Sequence, residues 1–307
     1  MSGTVAFGAP YAGSGRDAWI AQVVEDGVRV TYADEPGAAK FSGARGEHLL
    51  SPAQLLSHLG NGSLQLAAGR RLLQWSPTIR MEPELVGSMP GQITAICPKW
   101  PLAGDSRGNI RLWNLSERRG NSYPVSREMG LTAPIISLGD YDIDWQCMRG
   151  LDISNSRLLV GVPDEVLLVD IRRSAILGGF PVTAPPRLLV GGSPKAIAGG
   201  DQGVLLLDFE HERETVLLAA TDGRNQYRPT ALAFGVPHSL AAVHVTDPAG
   251  DDAGTELFRW DRSGKFVRRD RITTPQSAEI VHIVPDSYCS RSILLIDSAG
   301  DVHEASA

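Results

Sequence analysis

Only three cysteines, Cys97, Cys147 and Cys289, stand in a chain of 307 residues. Their odd number and wide spacing exclude a disulfide framework and suit reduced thiols. Long apolar runs are missing as well. No stretch approaches the ~18 consecutive apolar residues of a membrane span, and the N-terminus lacks a charged region followed by an apolar core, so neither a membrane nor a leader is expected. Basic charge is in deficit, with 29 Lys and Arg against 35 Asp and Glu and a formal net charge of −6. Phosphate backbones and anionic bilayers demand a concentrated basic surface, so nucleic acid is not an expected partner. The one basic cluster, Arg259, Lys265, Arg268, Arg269 and Arg271, alternates with apolar residues as a solvated strand face does. A cytoplasmic protein is expected.

Turn formers, by contrast, are plentiful: 33 Gly and 20 Pro are spread along the whole length, which implies many turns and few long helices. The chain exceeds the ~250–300 residues at which a single core stops growing, and it contains no linker or low-complexity segment. A repeat architecture follows. The unit is clearest in Ile93 to Leu115, ITAICPKWPLAGDSRGNIRLWNL, where two short apolar runs, a polar turn and a third run end in Trp113-Asn114.

This stretch resembles one repeat of the WD40 family. Ile93 to Cys97 matches the inner strand, Pro101 to Gly104 the second and Asn109 to Leu115 the third, with Asn114 in the usual Asp place. Self-similarity at a period of ~40–45 residues is the mark of propeller blades. Sliding the template along the chain places third strands near 28–33, 71–76, 109–115, 165–171, 203–209, 255–261 and 301–306. Tyr32, Trp75, Trp113, Val169, Leu207, Trp260 and Ala305 then hold the Trp place. The resemblance implies an all-β fold: a seven-bladed β-propeller of four-stranded antiparallel sheets, one domain over residues 1–307.

Two segments test that frame. Ser51-Pro52-Ala53-Gln54 followed by LLSHL and Gly60 carries helix-start and helix-stop signals, whereas the repeat requires the inner strand of the second blade there; the frame is preferred. The last blade lacks an outer strand, and Thr4 to Gly8 is expected to supply it and so close the ring. The same segment could instead be the inner strand of the first blade. Against the family pattern, Trp survives only at Trp75, Trp113 and Trp260. The turn Asp place, six residues before it, holds Asp26 and Asp201 but Gly69, Arg107, Pro163 and Gly254 elsewhere, and no Gly-His pair precedes an inner strand.

Two acidic insertions interrupt the period. In Gly139 to Trp145, an extended chain puts Asp140, Asp142 and Asp144 on one face and Tyr141, Ile143 and Trp145 on the other. Adjacent carboxylates suit a hard cation or a basic partner, with the aromatics as anchors. The calcium-loop pattern is not met, so no metal is assigned. The second insertion carries Asp247, Asp251 and Asp252 between the second and third strands of the sixth blade. In the family such hairpins lie on the same end of the ring as the blade-to-blade connections, so both insertions are expected on one rim.

The expected function is a non-catalytic interaction scaffold that presents acidic loops to a protein partner with a basic surface, without a cofactor. The alternative is an enzyme of hydrolase, lyase or isomerase type at the mouth of the central channel, with Thr94, Arg149, Arg187 and His282 as candidate residues and rim acids for proton transfer. The histidines form no ligand constellation. No Gly-x-Ser-x-Gly elbow occurs, and Gly191-Gly192 and Gly199-Gly200 precede strands or turns rather than a helix that could cradle phosphate.

Overall fold

Short strands joined by tight turns recur throughout the computed structural model, which describes residues 5–8, 19–25, 27–32, 47–49, 55–58, 63–76, 82–98, 100–143, 156–234, 238–261, 263–274, 278–284 and 292–306. Among these residues, strands consecutive in sequence form seven antiparallel sheets. The first contains β1 (Val5–Gly8), β2 (Trp19–Val24), β3 (Gly27–Tyr32) and β4 (Glu47–Leu49), the second β5 (Leu55–His58), β6 (Leu64–Ala68), β7 (Arg71–Trp75) and β8 (Glu84–Ser88). The third holds β9 (Ile93–Ile96), β10 (Leu102–Asp105), β11 (Asn109–Trp113) and β12 (Val125–Gly130), and the fourth β13 (Ser137–Ile143), β14 (Ser156–Val162), β15 (Glu165–Asp170) and β16 (Ala175–Pro181). The fifth comprises β17 (Pro186–Gly192), β18 (Lys195–Gly200), β19 (Gly203–Asp208) and β20 (Arg213–Ala219), and the sixth β21 (Gln226–Ala233), β22 (Ser239–Thr246), β23 (Asp252–Trp260) and β24 (Phe266–Ile272). Among the described residues the seventh has three strands, β25 (Ile280–Val284), β26 (Ser292–Asp297) and β27 (Val302–Ser306).

Burial explains why these runs are strands. β19, GVLLLD, is buried at all six positions, and β15, EVLLVD, at five of six, so both faces of each are covered by neighbouring sheets and no polar alternation remains. The aromatic at the end of a third strand packs back onto the preceding sheet. Trp75 joins Ala6, Trp19 and Val30 of the first sheet; Trp113 joins Ala67, Leu72 and Val86 of the second; Trp260 joins Ile197, Val204 and Leu206 of the fifth. Val169 and Leu207 do the same between the third and fourth and between the fourth and fifth sheets.

The first strands lie side by side in chain order, β1 against β5 and so on to β25, and β25 also lies against β1. Side-chain bonds tie adjacent sheets together: the Thr94 hydroxyl donates to the Ile135 carbonyl at 2.6 Å, and the Ser137 hydroxyl donates to that of Pro186. Gly139 approaches Leu189 so closely that a Cβ would sit 2.8 Å from its carbonyl oxygen. Ser137 beside Pro186 and Gly139 beside Leu189 make β13 and β17 parallel. One end of the stack of sheets therefore carries the second-to-third hairpins and the connections between sheets, and the other end carries the remaining turns.

Val5–Gly8 does not complete the last sheet. It pairs with β2, from Val5 opposite Gln22 to Gly8 opposite Trp19, as the first strand of the first sheet. The cause is burial: Ala6 is enclosed by Trp19, Ala21 and Leu56 between the first two sheets, whereas β27, VHEAS, offers a mostly polar edge. At Leu55–His58 the strand prevails over the helix signals because Leu56 is needed in that same core, and Leu55 to His58 pair with Ala67 to Leu64. Residues 51–54 lie outside the described ones.

Candidate functional site

Several aspartates at the strand ends are occupied by backbone amides of the turns that follow them. After the third strands, Asp170 accepts from the Arg172 and Arg173 amides at 3.0 and 3.1 Å and from the Ser156 hydroxyl at 2.6 Å. Asp208 accepts from the amides of Glu210 and His211, Asp261 from those of Ser263 and Lys265, and Asn114 from that of Ser116. The acid of the Trp-Asp place thus closes the turn into the fourth strand. A second group sits at the second-to-third hairpins. Asp105 accepts from the amides of Arg107 and Asn109, Asp247 from those of Ala249 and Asp251, and Asp297 from those of Ala299 and Asp301. All three begin an Asp-x-x-Gly turn whose glycine has positive φ; at Gly108, φ is 85° and a Cβ would meet the Leu131 carbonyl oxygen at 2.3 Å. Counting back six residues from the Trp place missed this group, because Asp105 stands eight before Trp113. The signal was available as DSRG, DPAG and DSAG.

This chemistry reassigns the predicted residues. Asp247 is a turn cap. Asp251 donates its amide to that cap and keeps an exposed side chain, and Asp252 opens β23. Asp140 and Asp142 belong to the first strand β13 rather than to a connection, and lie opposite Leu158 and Arg157. The register shifts between them, so Tyr141 is the extra residue of a bulge and the period of two fails there. Tyr141 is not a surface anchor. It is 5% exposed, packed with Leu159, Phe180 and Leu189, edge-on to Phe209 at 5.7 Å, with the Arg157 guanidinium over its ring. Asp144, Trp145 and Arg149 lie outside the described residues.

The two acidic segments do not share a rim. β13 starts at the hairpin end, with Ser137 opposite Gly161, and its Ile143 end is opposite Ser156, far from the hairpin at 163–164. Asp142 is therefore at the other end of the sheets from the Asp247 hairpin. Of the channel-mouth candidates, Thr94 and Arg187 occupy equivalent bulged places near the hairpin end of β9 and β17, and His282 follows a similar bulge in β25. The Thr94 hydroxyl is spent on Ile135, and the exposed Arg187 guanidinium lies 3.1 Å from the Asp201 carboxylate. No group of three or more His, Cys, Asp or Glu with metal-binding geometry occurs among the described residues, and none of their helices is long and apolar enough to cross a membrane.

Electrostatics follow from this placement. Burial opposes the charge of Asp105, but hydrogen bonds from Asn109, Gly91 and Arg107 outweigh it and hold its carboxyl below the usual range. Asp170 and Asp208 are lowered in the same way, burial being overcome by Ser156 and the turn amides in one and by His211 in the other. His282 keeps part of its surface accessible, yet lies deep enough that burial pushes it down from an ordinary 6.5 to about 4. A histidine that is neutral when folded contributes stability fully present above its unfolded pKa and lost as pH falls toward its folded one. Stability should therefore decline by up to about 1 kcal/mol per pH unit from about 6.5 to about 4, and the depressed carboxylates should add a further loss below about 4. Urea titrations across this range should show His282→Leu flattening the upper limb only. An unchanged upper limb would remove the histidine from that role.

No protein-family model matches the chain, and no curated protein matches it in sequence. Its structure is similar to a chain of the mitotic checkpoint complex, with a TM-score of 0.65 at 13% identity over 94% of this chain and 86% of that one. It is also similar to Sqt1 of Saccharomyces cerevisiae, with a TM-score of 0.61 at 12% identity over 100% of this chain and 96% of that one. Both are WD40 propeller proteins. The chain shares the β-propeller fold of these WD40 proteins.

Proposed function

We propose that residues 1–307 form one closed ring of seven blades that acts as a non-catalytic, cytoplasmic scaffold for a protein partner. The succession of first strands, with β25 returning to β1, supports the ring; Cys97, a buried reduced thiol, suits a reducing compartment. The observation that carries the scaffold reading is the apolar character of the outer wall. Ile176 and Leu177 on β16, Val216 on β20, and Phe266 and Val267 on β24 are all exposed, on the outer strands of three successive sheets. We take these exposed apolar side chains on neighbouring outer strands as the contact points for the partner. The mitotic checkpoint complex to which one similar chain belongs is itself an assembly of proteins, in keeping with this reading.

The acids take a secondary part. Asp251 and Asp252 at the hairpin end, and Asp140 and Asp142 toward the other, would steer a basic partner rather than anchor it. The enzyme reading needs Thr94, Arg187 and His282 as a free polar set, and the first two are already bonded. Affinity capture from native extract tests the scaffold. Ile176→Asp with Val216→Asp and Phe266→Asp should weaken the captured complex about tenfold or more, as loss of interface anchors does. Asp251→Arg with Asp252→Arg should cost only a few-fold, mostly in association rate. A complex indifferent to both sets would overturn the proposed surface.

A further inference from the structure

An outer strand can pair with another chain, and charge on the edge is a common safeguard. Among the described fourth strands, β4 carries Glu47, β8 Glu84, β12 Arg127 and Glu128, β20 Arg213 and Glu214, and β24 Arg268, Arg269, Asp270 and Arg271. β16, AILGGFP, carries no charge. A bulge interrupts β8, β12, β16, β20 and β24 alike, so charge is the safeguard that β16 lacks. Its backbone is also less engaged than those of β8 and β12. The third sheet takes the Val86 and Ser88 carbonyls of β8 through the Tyr123 amide and the Arg111 guanidinium, and the fourth takes the Glu128 carbonyl of β12 through the Ser174 hydroxyl. At β16 the fifth sheet offers packing, with Phe209 edge-on to Phe180 at 5.0 Å. Among the described residues, no group of the fifth sheet hydrogen-bonds the β16 backbone.

We propose that β16 is the contact between two copies of this chain, paired edge to edge and antiparallel about a twofold axis between Leu177 and Gly178. Main-chain hydrogen bonds supply the affinity of such strand addition. A twofold contact also needs a self-complementary patch, and β16 is one in shape and in charge. It reads large-large-small-small, Ile176-Leu177-Gly178-Gly179, so reversal sets Leu177 of one copy beside Gly178 of the other and Ile176 beside Gly179. Ile176 and Leu177 are 53% and 46% exposed in the single chain. A Cβ at Gly178 would meet only Phe209, at 3.8 Å, and Gly179 is roofed by the Glu165 carboxylate, a flexible end that can turn aside. The two ends of the strand differ in sign. Exposed Arg172 and Arg173 precede it, while exposed Asp164 lies beside its far end, where the Asp164 carbonyl accepts the Val182 amide at 2.9 Å, and Glu165 is opposite Pro181. Antiparallel pairing brings a basic end to an acidic end on both sides of the axis. This rests on the scaffold reading in dividing its wall: β16 goes to the second copy, and Val216, Phe266 and Val267 stay open to the partner.

Sedimentation velocity of the purified protein over a range of micromolar concentrations should show a monomer–dimer equilibrium, with hydrogen exchange over β16 slowing as the dimer forms. Leu177→Lys, at an exposed position, sets two like charges beside the axis and should weaken the dimer about tenfold or more, with circular dichroism showing the fold retained. Arg173→Glu should weaken it a few-fold, and adding Asp164→Arg should restore it, because each contact between the ends is then reversed in sign. Val216→Asp with Phe266→Asp should leave the dimer unchanged. A protein that stays monomeric, a dimer indifferent to Leu177→Lys, or one lost with the Val216 and Phe266 changes overturns the proposal. A monomer whose captured partner is lost with Leu177→Lys also overturns it and gives β16 to that partner. Capture from extract through Val216 and Phe266 is read separately, so the dimer and the scaffold can each fall while the other stands.

Discussion

Trp113→Ala should destabilise the fold by about 3–5 kcal/mol, the range for truncating a buried tryptophan. Trp113 is 1% exposed and packs with Val86, Met89 and Leu72 of the preceding sheet and Ile93 and Ala103 of its own. Its ring lies directly on the backbone of β8, where a Cβ on Gly87 would be 2.1 Å from the indole nitrogen. A side chain and a missing side chain thus define one contact, and that makes a reciprocal test available. Gly87→Ala alone should cost about 1–3 kcal/mol through overpacking. Combined with Trp113→Ala, which opens the space the methyl needs, the second change should be far less costly, giving a coupling of at least about 1 kcal/mol in a double-mutant cycle. Urea unfolding followed by circular dichroism measures all three variants. Additive losses would mean that Trp113 contributes without seating on Gly87. Trp75 and Trp260 hold the same relation to their preceding sheets, so truncating either should approach the same loss.

That packing is why the fold was legible in the sequence and the candidate site much less so. A third strand enclosed by two sheets must be apolar on both faces, so EVLLVD and GVLLLD read as strands without a tryptophan, and the four-stranded antiparallel plan follows from their recurrence. Tyr141 was misread because periodicity assumes an unbroken strand, while a bulge between Asp140 and Asp142 turns the tyrosine into the seam with the fifth sheet. The acids were misread for a different reason. Composition shows that carboxylates cluster in turns, but whether each is free depends on which amides point at it, and at Asp247, Asp261 and Asp297 the amides two and four residues on are already bound. Placement on a rim depends in turn on strand direction. Gly139 to Trp145 taken as a connection falls at the hairpin end, whereas its described part, Gly139 to Ile143, runs along a first strand toward the opposite end. The Asp-x-x-Gly turns were the one informative signal in plain view, and they report on architecture.

Asp105→Ala should be the costliest of the turn substitutions, about 3–4 kcal/mol, because it removes the acceptor of one buried amide and of three part-buried donor groups at once. Asp105 is 0% exposed. Its Oδ2 accepts the Gly91 amide at 2.6 Å, from the connection that enters the third sheet, and its Oδ1 accepts the amides of Arg107 and Asn109 at 2.9 Å each; the Asn109 side chain donates to both oxygens at 3.0 Å. One carboxylate therefore fixes a hairpin and the connection beside it. Asp105→Asn separates shape from charge. It preserves volume and one acceptor, but its own amide hydrogens would face those of Gly91 and Asn109, so the loss should remain about 2–3 kcal/mol. The acid limb of the stability profile supplies an independent reading. The Asp105 carboxyl is depressed in the folded state, so its contribution is present above the unfolded carboxylate pKa of about 3.9 and is lost as pH falls through the lower, folded value. Both variants should accordingly lose less stability than the parent between about pH 4 and pH 2. An Asp105→Asn protein that matched the parent at neutral pH and kept its full acid limb would show that the turn is held by backbone geometry, with the charge contributing nothing.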